Sequence, residues 1–225
     1  SYANRDSLLY REIYGIDNIP TIKRSTLRHP GFCDAWNALV QLGLTSDAYP
    51  ILESKNMTYR ELVDAFLLDN PYVTGTIKER LATFLNIGAS SEIIRKLEWL
   101  GLFDRKKIGL ENATPARILE NLLVEKLKLK ENDKDMIVMH HVFKYKIKRK
   151  KYKLQSSMVL KGDDSVQTAM SKLVGLPIGI FVKLILQDKI TETGVQIPVK
   201  PSIYNPVLEE LKEYGVEFKD ILKEI

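Results

Sequence analysis

The chain is poor in the residues that most often announce a function. Of its 225 residues one is a cysteine, Cys33, and three are histidines. A lone thiol cannot close an internal disulfide, and no secretory pattern stands at the N-terminus, so a reducing, cytoplasmic setting is expected. None of the twelve glycines falls in a GxGxxG or GxxxxGK pattern, and GLPIG at 175–179 lacks the strand–turn–helix setting of a phosphate loop. A recognisable nucleotide site is therefore not encoded. The longest apolar run, LVGLPIGIFVKLIL at 173–186, is fourteen residues with Lys183 inside it. That is short for a bilayer span, and no membrane partner is expected.

Metal and thiol chemistry are equally thin. His140 and His141 are neighbours on a predicted strand, so they point to opposite faces and cannot chelate one ion; one buried and one exposed histidine is expected. Cys33 has no CxxC partner and lies on the apolar side of a predicted helix, which favours an inert thiol.

What is present is ordinary globular usage, 44% hydrophobic and 28% charged, enough to bury a core. The formal charge of +5 is local: KYKIKRKKYK at 144–153 holds seven positive charges and no acid, and without them the remainder carries −2. A nucleic-acid partner is not expected from one such ribbon, because lysines on an exposed strand also serve to discourage edge pairing.

Hydrophobic periodicity changes along the chain. YANRDS opens as a loop, LLYREIYG at 8–15 predicts a short helix closed by Gly15, and TIKRSTLR at 21–28 alternates as a strand. From Pro30 the period becomes helical: Phe32, Ala35, Trp36, Leu39 and Val40 form one stripe, Thr58 with Glu61 forms a capping box, and Thr114 with Pro115 marks another helix start. Residues 30–128 therefore predict four or five short helices. DMIVMHHVFKYKI and YKLQSSMVLKG follow as two strands joined by KRKK, then a helix capped by Asp164 or Ser165 and interrupted at Gly175 and Pro177, then a last helix capped by Asn205 and opened by Pro206. Strands flanking a helical block predict an α+β fold, in which the strands could share one sheet and the helices form an insertion.

Four arginines stand in the first thirty residues: Arg5, Arg11, Arg24 and Arg28. The guanidinium fork binds carboxylates bidentately and stays charged in a partly dry site. Arg5 in a turn-rich loop and Arg28 at a strand end are the best placed, although a lone arginine is most often a surface ion pair.

The segments YANRDSLLYREIYGI and TIKRSTLRHPGF resemble YPNRDSxxYxEIYGI and RGTLRYxGF of the saccharopine dehydrogenases that form L-glutamate, the saccharopine reductases. The similarity continues through DMIVMHHVF, SSMVLKGDD, TAMSKLVGLPIGIFVKLILQDKI and IYNPVLEELKEYGVEF. It implies part of a mixed-sheet α+β substrate domain formed by residues 1–29 and 130–225, with an all-helical domain inserted at 30–129. It also implies a preceding Rossmann domain of the same protein that holds NADP, so the cofactor site lies mainly outside this chain and no metal is needed. Saccharopine, L-glutamate and aminoadipic semialdehyde are the implied ligands, and a homodimer stays open. In the family the arginine of NRDS and the Thr-Leu-Arg of GTLRY contact saccharopine, roles that fall to Arg5, Thr26, Leu27 and Arg28; no catalytic residue is implied here. Ala3, Ser25 and His29 replace the family's proline, glycine and tyrosine. The alternative is a non-catalytic binding or assembly module with the same fold.

Overall fold

Hydroxyl caps set most helix starts in the first half of the chain. The computed structural model describes residues 1–4, 7–67 and 74–225. In order it contains β1 (Tyr2–Ala3), α1 (Tyr10–Ile13), β2 (Ser25–Thr26), α2 (Phe32–Gln41), α3 (Tyr59–Phe66), α4 (Ile77–Phe84), α5 (Glu92–Leu100), α6 (Pro115–Leu127), β3 (Met136–Ile147), β4 (Lys150–Lys161), α7 (Ala169–Leu186), α8 (Pro201–Leu211) and β5 (Lys219–Glu224). The chain is α+β, and its described strand pairs are antiparallel. It divides into two units, Ser1–Glu12 with Ile16–Lys128 and Ile13–Gly15 with Leu129–Ile225.

In the first unit the expected box at Thr58 and Glu61 forms: the Glu61 amide donates to the Thr58 hydroxyl at 3.2 Å, and the Thr58 amide donates to the Glu61 carboxylate at 2.7 Å. Thr76 and Glu79 repeat it at the head of α4, a pair the sequence reading passed over. Ser91 caps α5, and Thr114 caps α6 with Pro115 in the first turn. Donation from the threonine amide, then from its hydroxyl, holds each glutamate below its ordinary value of 4.5. A depressed carboxylate contributes stability that is complete above its unfolded value and is lost as pH falls through the lowered folded one. Melting temperature is therefore expected to drop as the medium is acidified below about 4.5, and the slope should flatten in Glu61→Gln/Glu79→Gln, since glutamine keeps the box but does not titrate. Thermal melts between neutral pH and about pH 3 check this; an unchanged slope would count against it.

The stripes bury one core. Leu39, Leu62, Leu81, Leu97 and Ile118, from α2 through α6, are at most 3% exposed. The face of α2 differs from the expectation: Trp36 and Val40 are exposed, whereas Ala38, Leu39 and Leu42 are buried. Ser54 is buried but satisfied, its hydroxyl donating to the Leu110 carbonyl and accepting from the Ala113 amide. The strand expected over 21–28 shrinks to two residues. β2 pairs only with the equally short β1, Tyr2 opposite Thr26 and Ala3 opposite Ser25, and a two-stranded pair gives a longer strand nothing to bond. β2 thus belongs to a different sheet from β3, β4 and β5.

In the second unit the order is β3-β4-β5. The turn is tighter than KRKK: Lys148 and Arg149 alone turn, with Lys148 at φ 54°, while Lys150 and Lys151 already pair with Ile147 and Lys146. Met158 and Leu160 face α7 and α8, whose Ala169, Ile180, Leu184, Ile203, Val207 and Leu211 complete a second core.

Both proline expectations fail here. α7 runs unbroken through Gly175 and Pro177, and α8 starts at Pro201 with Pro206 inside it. An interior proline costs about 3 kcal/mol, but Ile180 and Leu184 lie beyond Pro177, and burying each is worth about 1.5–3 kcal/mol. Ile203, Val207 and Leu211 recur at four-residue spacing, so the α8 stripe begins ahead of Asn205. The continuous α7 has 18 residues and by length and composition could cross a bilayer, which corrects the fourteen-residue estimate. Its Ala169, Ile180 and Leu184 are buried, and Lys183 pairs with Glu210 at 2.6 Å.

The cap of α7 is Thr168, not Asp164 or Ser165. Asp164 accepts from the Val166 and Gln167 amides and closes the turn before it. The Asp135 carboxylate accepts from the first two helical amides, Ala169 at 2.6 Å and Met170 at 2.9 Å. Gly162 is packed against the same corner: a Cβ there would lie 2.3 Å from Asp135 Oδ1 and 2.9 Å from the Ala169 nitrogen.

Candidate functional site

The β1–β2 ladder brings the two N-terminal motifs together. With Tyr2 opposite Thr26, and the Asn4 amide donating to the Arg24 carbonyl at 3.2 Å, residues 2–4 lie beside residues 24–26. Arg5 itself lies outside the described residues. Ser25, where the family has glycine, sits in β2 with an ordinary extended backbone and needs no positive φ. Thr26 is half-buried, whereas Leu27 and Arg28 are exposed, Leu27 at 66%.

Arg28 is held on three sides. Its guanidinium lies 5.4 Å from the Tyr2 ring centre and 5.5 Å from that of Phe32, and Nη1 donates to the Leu27 carbonyl at 2.9 Å. Flat stacking on aromatic faces suits the guanidinium and fixes its plane without neutralising it. No carboxylate of the described residues pairs with Arg28, so its remaining donors can take a ligand carboxylate. Arg24 sits similarly over the Tyr10 ring at 5.0 Å. Arg11 differs: it donates to the Asp17 carbonyl, which ties it to the local turn, and its Nε is buried with no hydrogen-bond partner among the described residues. The aromatic platforms Tyr2, Phe32 and Tyr10 were missed in the sequence. Tyr2 reaches Arg28 only through the strand pairing, though Phe32, four residues on, could have been suspected.

Two of the clefts among the described residues lie in this unit. One of about 340 Å³ is lined by Leu8, Leu9, Arg11, Glu12 and Asp17. The other, about 410 Å³, lies in the helical block around Arg60, Arg80 and Arg105, where Arg80 is already paired with Asp64. The remaining candidates stand apart. His29 is exposed next to Arg28, and Cys33 is half-buried rather than buried. His140 and His141 are both exposed, correcting the expectation of one buried ring. His140 Nδ1 lies 2.7 Å from the Ser157 hydroxyl, and the His141 ring is 5.6 Å from Phe218. Among the described residues no group of three or more His, Cys, Asp or Glu side chains is placed to hold a metal.

Comparison with known proteins converges on one family. Residues 1–216 match the family model of the saccharopine dehydrogenase C-terminal domain. The mitochondrial alpha-aminoadipic semialdehyde synthase of Bos taurus is 34% identical over 224 residues, covering 96% of this chain and 24% of that protein. The saccharopine dehydrogenase (NADP+, L-glutamate-forming) of Pyricularia oryzae is 32% identical over 233 residues, covering 98% of this chain and 50% of the relative. The apo structure of the L-glutamate-forming saccharopine dehydrogenase of Saccharomyces cerevisiae superposes with a TM-score of 0.84 at 29% identity, over 98% of this chain and 51% of that one. The chain thus spans about half the length of the fungal relatives and a quarter of the bovine one.

Proposed function

Because the chain belongs to the saccharopine dehydrogenase C-terminal domain family, we propose that it is the substrate-binding C-terminal part of a saccharopine reductase. That enzyme is an NADP-dependent oxidoreductase of lysine metabolism interconverting saccharopine with glutamate and aminoadipic semialdehyde. The observation that supports this best is Arg28, an exposed guanidinium clamped by two rings with no carboxylate of the described chain upon it. Saccharopine carries three carboxylates, and a pre-oriented fork is the group that recognises one bidentately. Arg5 supplies a second fork from the NRDS motif, and Thr26 and Leu27 add hydroxyl or backbone hydrogen bonds beside it.

Residues 1–29 and 130–225 are assigned to one substrate domain of the longer protein, with 30–129 as its helical insertion. NADP, when bound, supplies or accepts the hydride. None of the twelve glycines here builds a phosphate loop, so no step through NADP is derived from these residues, and its site is assigned to the preceding domain. A cytoplasmic location belongs to the same proposal; fractionation decides it against the mitochondrial location named for the bovine relative.

The chain alone is expected to form no saccharopine from NADPH, glutamate and aminoadipic semialdehyde, while the longer protein does. NADPH oxidation followed at 340 nm, with product identified by mass spectrometry, reads the outcome. Turnover by the isolated chain would overturn the assignment of the chemistry to the preceding domain.

A further inference from the structure

The three-stranded sheet sorts its charges by face. Side chains alternate along a strand, and the pairings fix which share a side: Lys144 stands opposite Lys153, which stands opposite Lys223, and Lys146 stands opposite Lys151. Lys161 and Lys219 lie on this same side, making seven lysines and no carboxylate. Asp220 and Glu224 project from the other side, where Glu224 pairs with Lys150 at 3.0 Å. Six of the seven lysines are exposed and Lys153, flanked by two others, is half-buried.

Like charges directly opposite one another destabilise a sheet, and three such oppositions occur here. A face serving only solubility would mix signs, as the opposite face does. Nor does this face suit a protein partner, since lysine is depleted from protein interfaces and desolvating seven unpaired ammonium groups is costly. Between the lysines stand Val138, Val142, Val159 and Ile221, each about half exposed. The aromatic rings that would stack nucleic-acid bases, Tyr145 and Tyr152, are on the other face, 5.6 Å apart and stacked on each other.

We propose that this lysine-and-valine face docks on an anionic lipid bilayer, the ammonium groups meeting lipid phosphates and carboxylates while the branched side chains enter the headgroup boundary. Lysine is suited to a diffuse anionic surface as a mobile point charge, and juxtamembrane lysines gain affinity there additively. Branched apolar residues among them contribute nothing on a phosphate backbone but do at a bilayer, which separates the two polyanions.

Co-sedimentation of the chain with phosphatidylcholine vesicles, with and without about a third phosphatidylserine, tests this at about 0.1 M salt. Binding is expected only to the anionic vesicles. It should fall at least about tenfold in Lys144→Glu/Lys153→Glu/Lys223→Glu. It should hold within about twofold in Lys126→Glu/Lys128→Glu/Lys130→Glu, which makes the same change of charge elsewhere. Val142→Ser/Ile221→Ser should weaken vesicle binding severalfold and leave binding to a short DNA duplex unaltered. Because the triple substitution exchanges one row of like charges for another at exposed or half-exposed positions, circular dichroism is expected to show it as folded as the parent. Equal binding to neutral and anionic vesicles, retention of binding by the first triple variant, or tighter binding to DNA than to vesicles that ignores the Val142 and Ile221 changes would overturn the proposal. The last result would give the face to nucleic acid instead.

Discussion

Arg28→Ala in the longer enzyme is expected to raise the KM for saccharopine about thirtyfold, with a smaller change in kcat. Truncating a charge-assisted, bidentate partner of a carboxylate removes about 2 kcal/mol, and about 1.4 kcal/mol corresponds to tenfold in affinity. The split between KM and kcat follows because a carboxylate remote from the transferred hydride is held equally in ground and transition states. Arg28→Lys keeps the charge and loses the fork, so it should fall between alanine and the parent. Tyr2→Ala leaves the guanidinium in place without one of its two rings and should raise KM about threefold, the scale of an exposed cation–π contact of about 0.5–1 kcal/mol. Steady-state kinetics with saccharopine varied at saturating NADP reads all three. An unchanged KM in Arg28→Ala would sink the substrate role and favour a module that has kept the fold and lost the cleft.

Leu81→Ala should destabilise the helical unit by about 2–5 kcal/mol, the range for leucine truncation in a packed core. Leu81 has no exposed surface and lies in the cluster that joins α2 through α6, so little room exists for neighbours to close the void. In contrast, Leu127→Ala at the exposed end of α6 should change stability by less than about 0.5 kcal/mol. Urea titration followed by circular dichroism gives both values. Similar small losses at the two positions would mean that the five helices do not share one cooperative core.

The parts of this fold that could be read in advance are those whose cause is local. Thr58 with Glu61, and Thr114 before Pro115, carry their hydrogen-bond logic within four residues, and both helices begin where those residues say. Pro177 and Pro206 misled because their local cost is outweighed by burial of Ile180, Leu184 and Val207, a fact of packing. β5 left no readable signal: KDILKE carries four charges, all six residues are exposed, and the strand exists because β4 offers it an edge. The candidate site was legible to the same extent. Arg28 stood out through its motif, whereas its clamp depends on a ladder that brings Tyr2 next to Thr26 across most of the first thirty residues.

The corner where Asp135 meets α7 bears on how this unit can hold an anion. The free amides at the head of a long helix are the usual berth for a carboxylate or phosphate. Here the Ala169 and Met170 amides are already engaged by Asp135, and Gly162 presses so close that even a methyl group would collide. The berth has an internal tenant. A carboxylate-bearing ligand arriving at α7 would have to evict it, so the proposed recognition rests on side-chain guanidinium groups such as that of Arg28, which can be changed one substitution at a time without disturbing the helix.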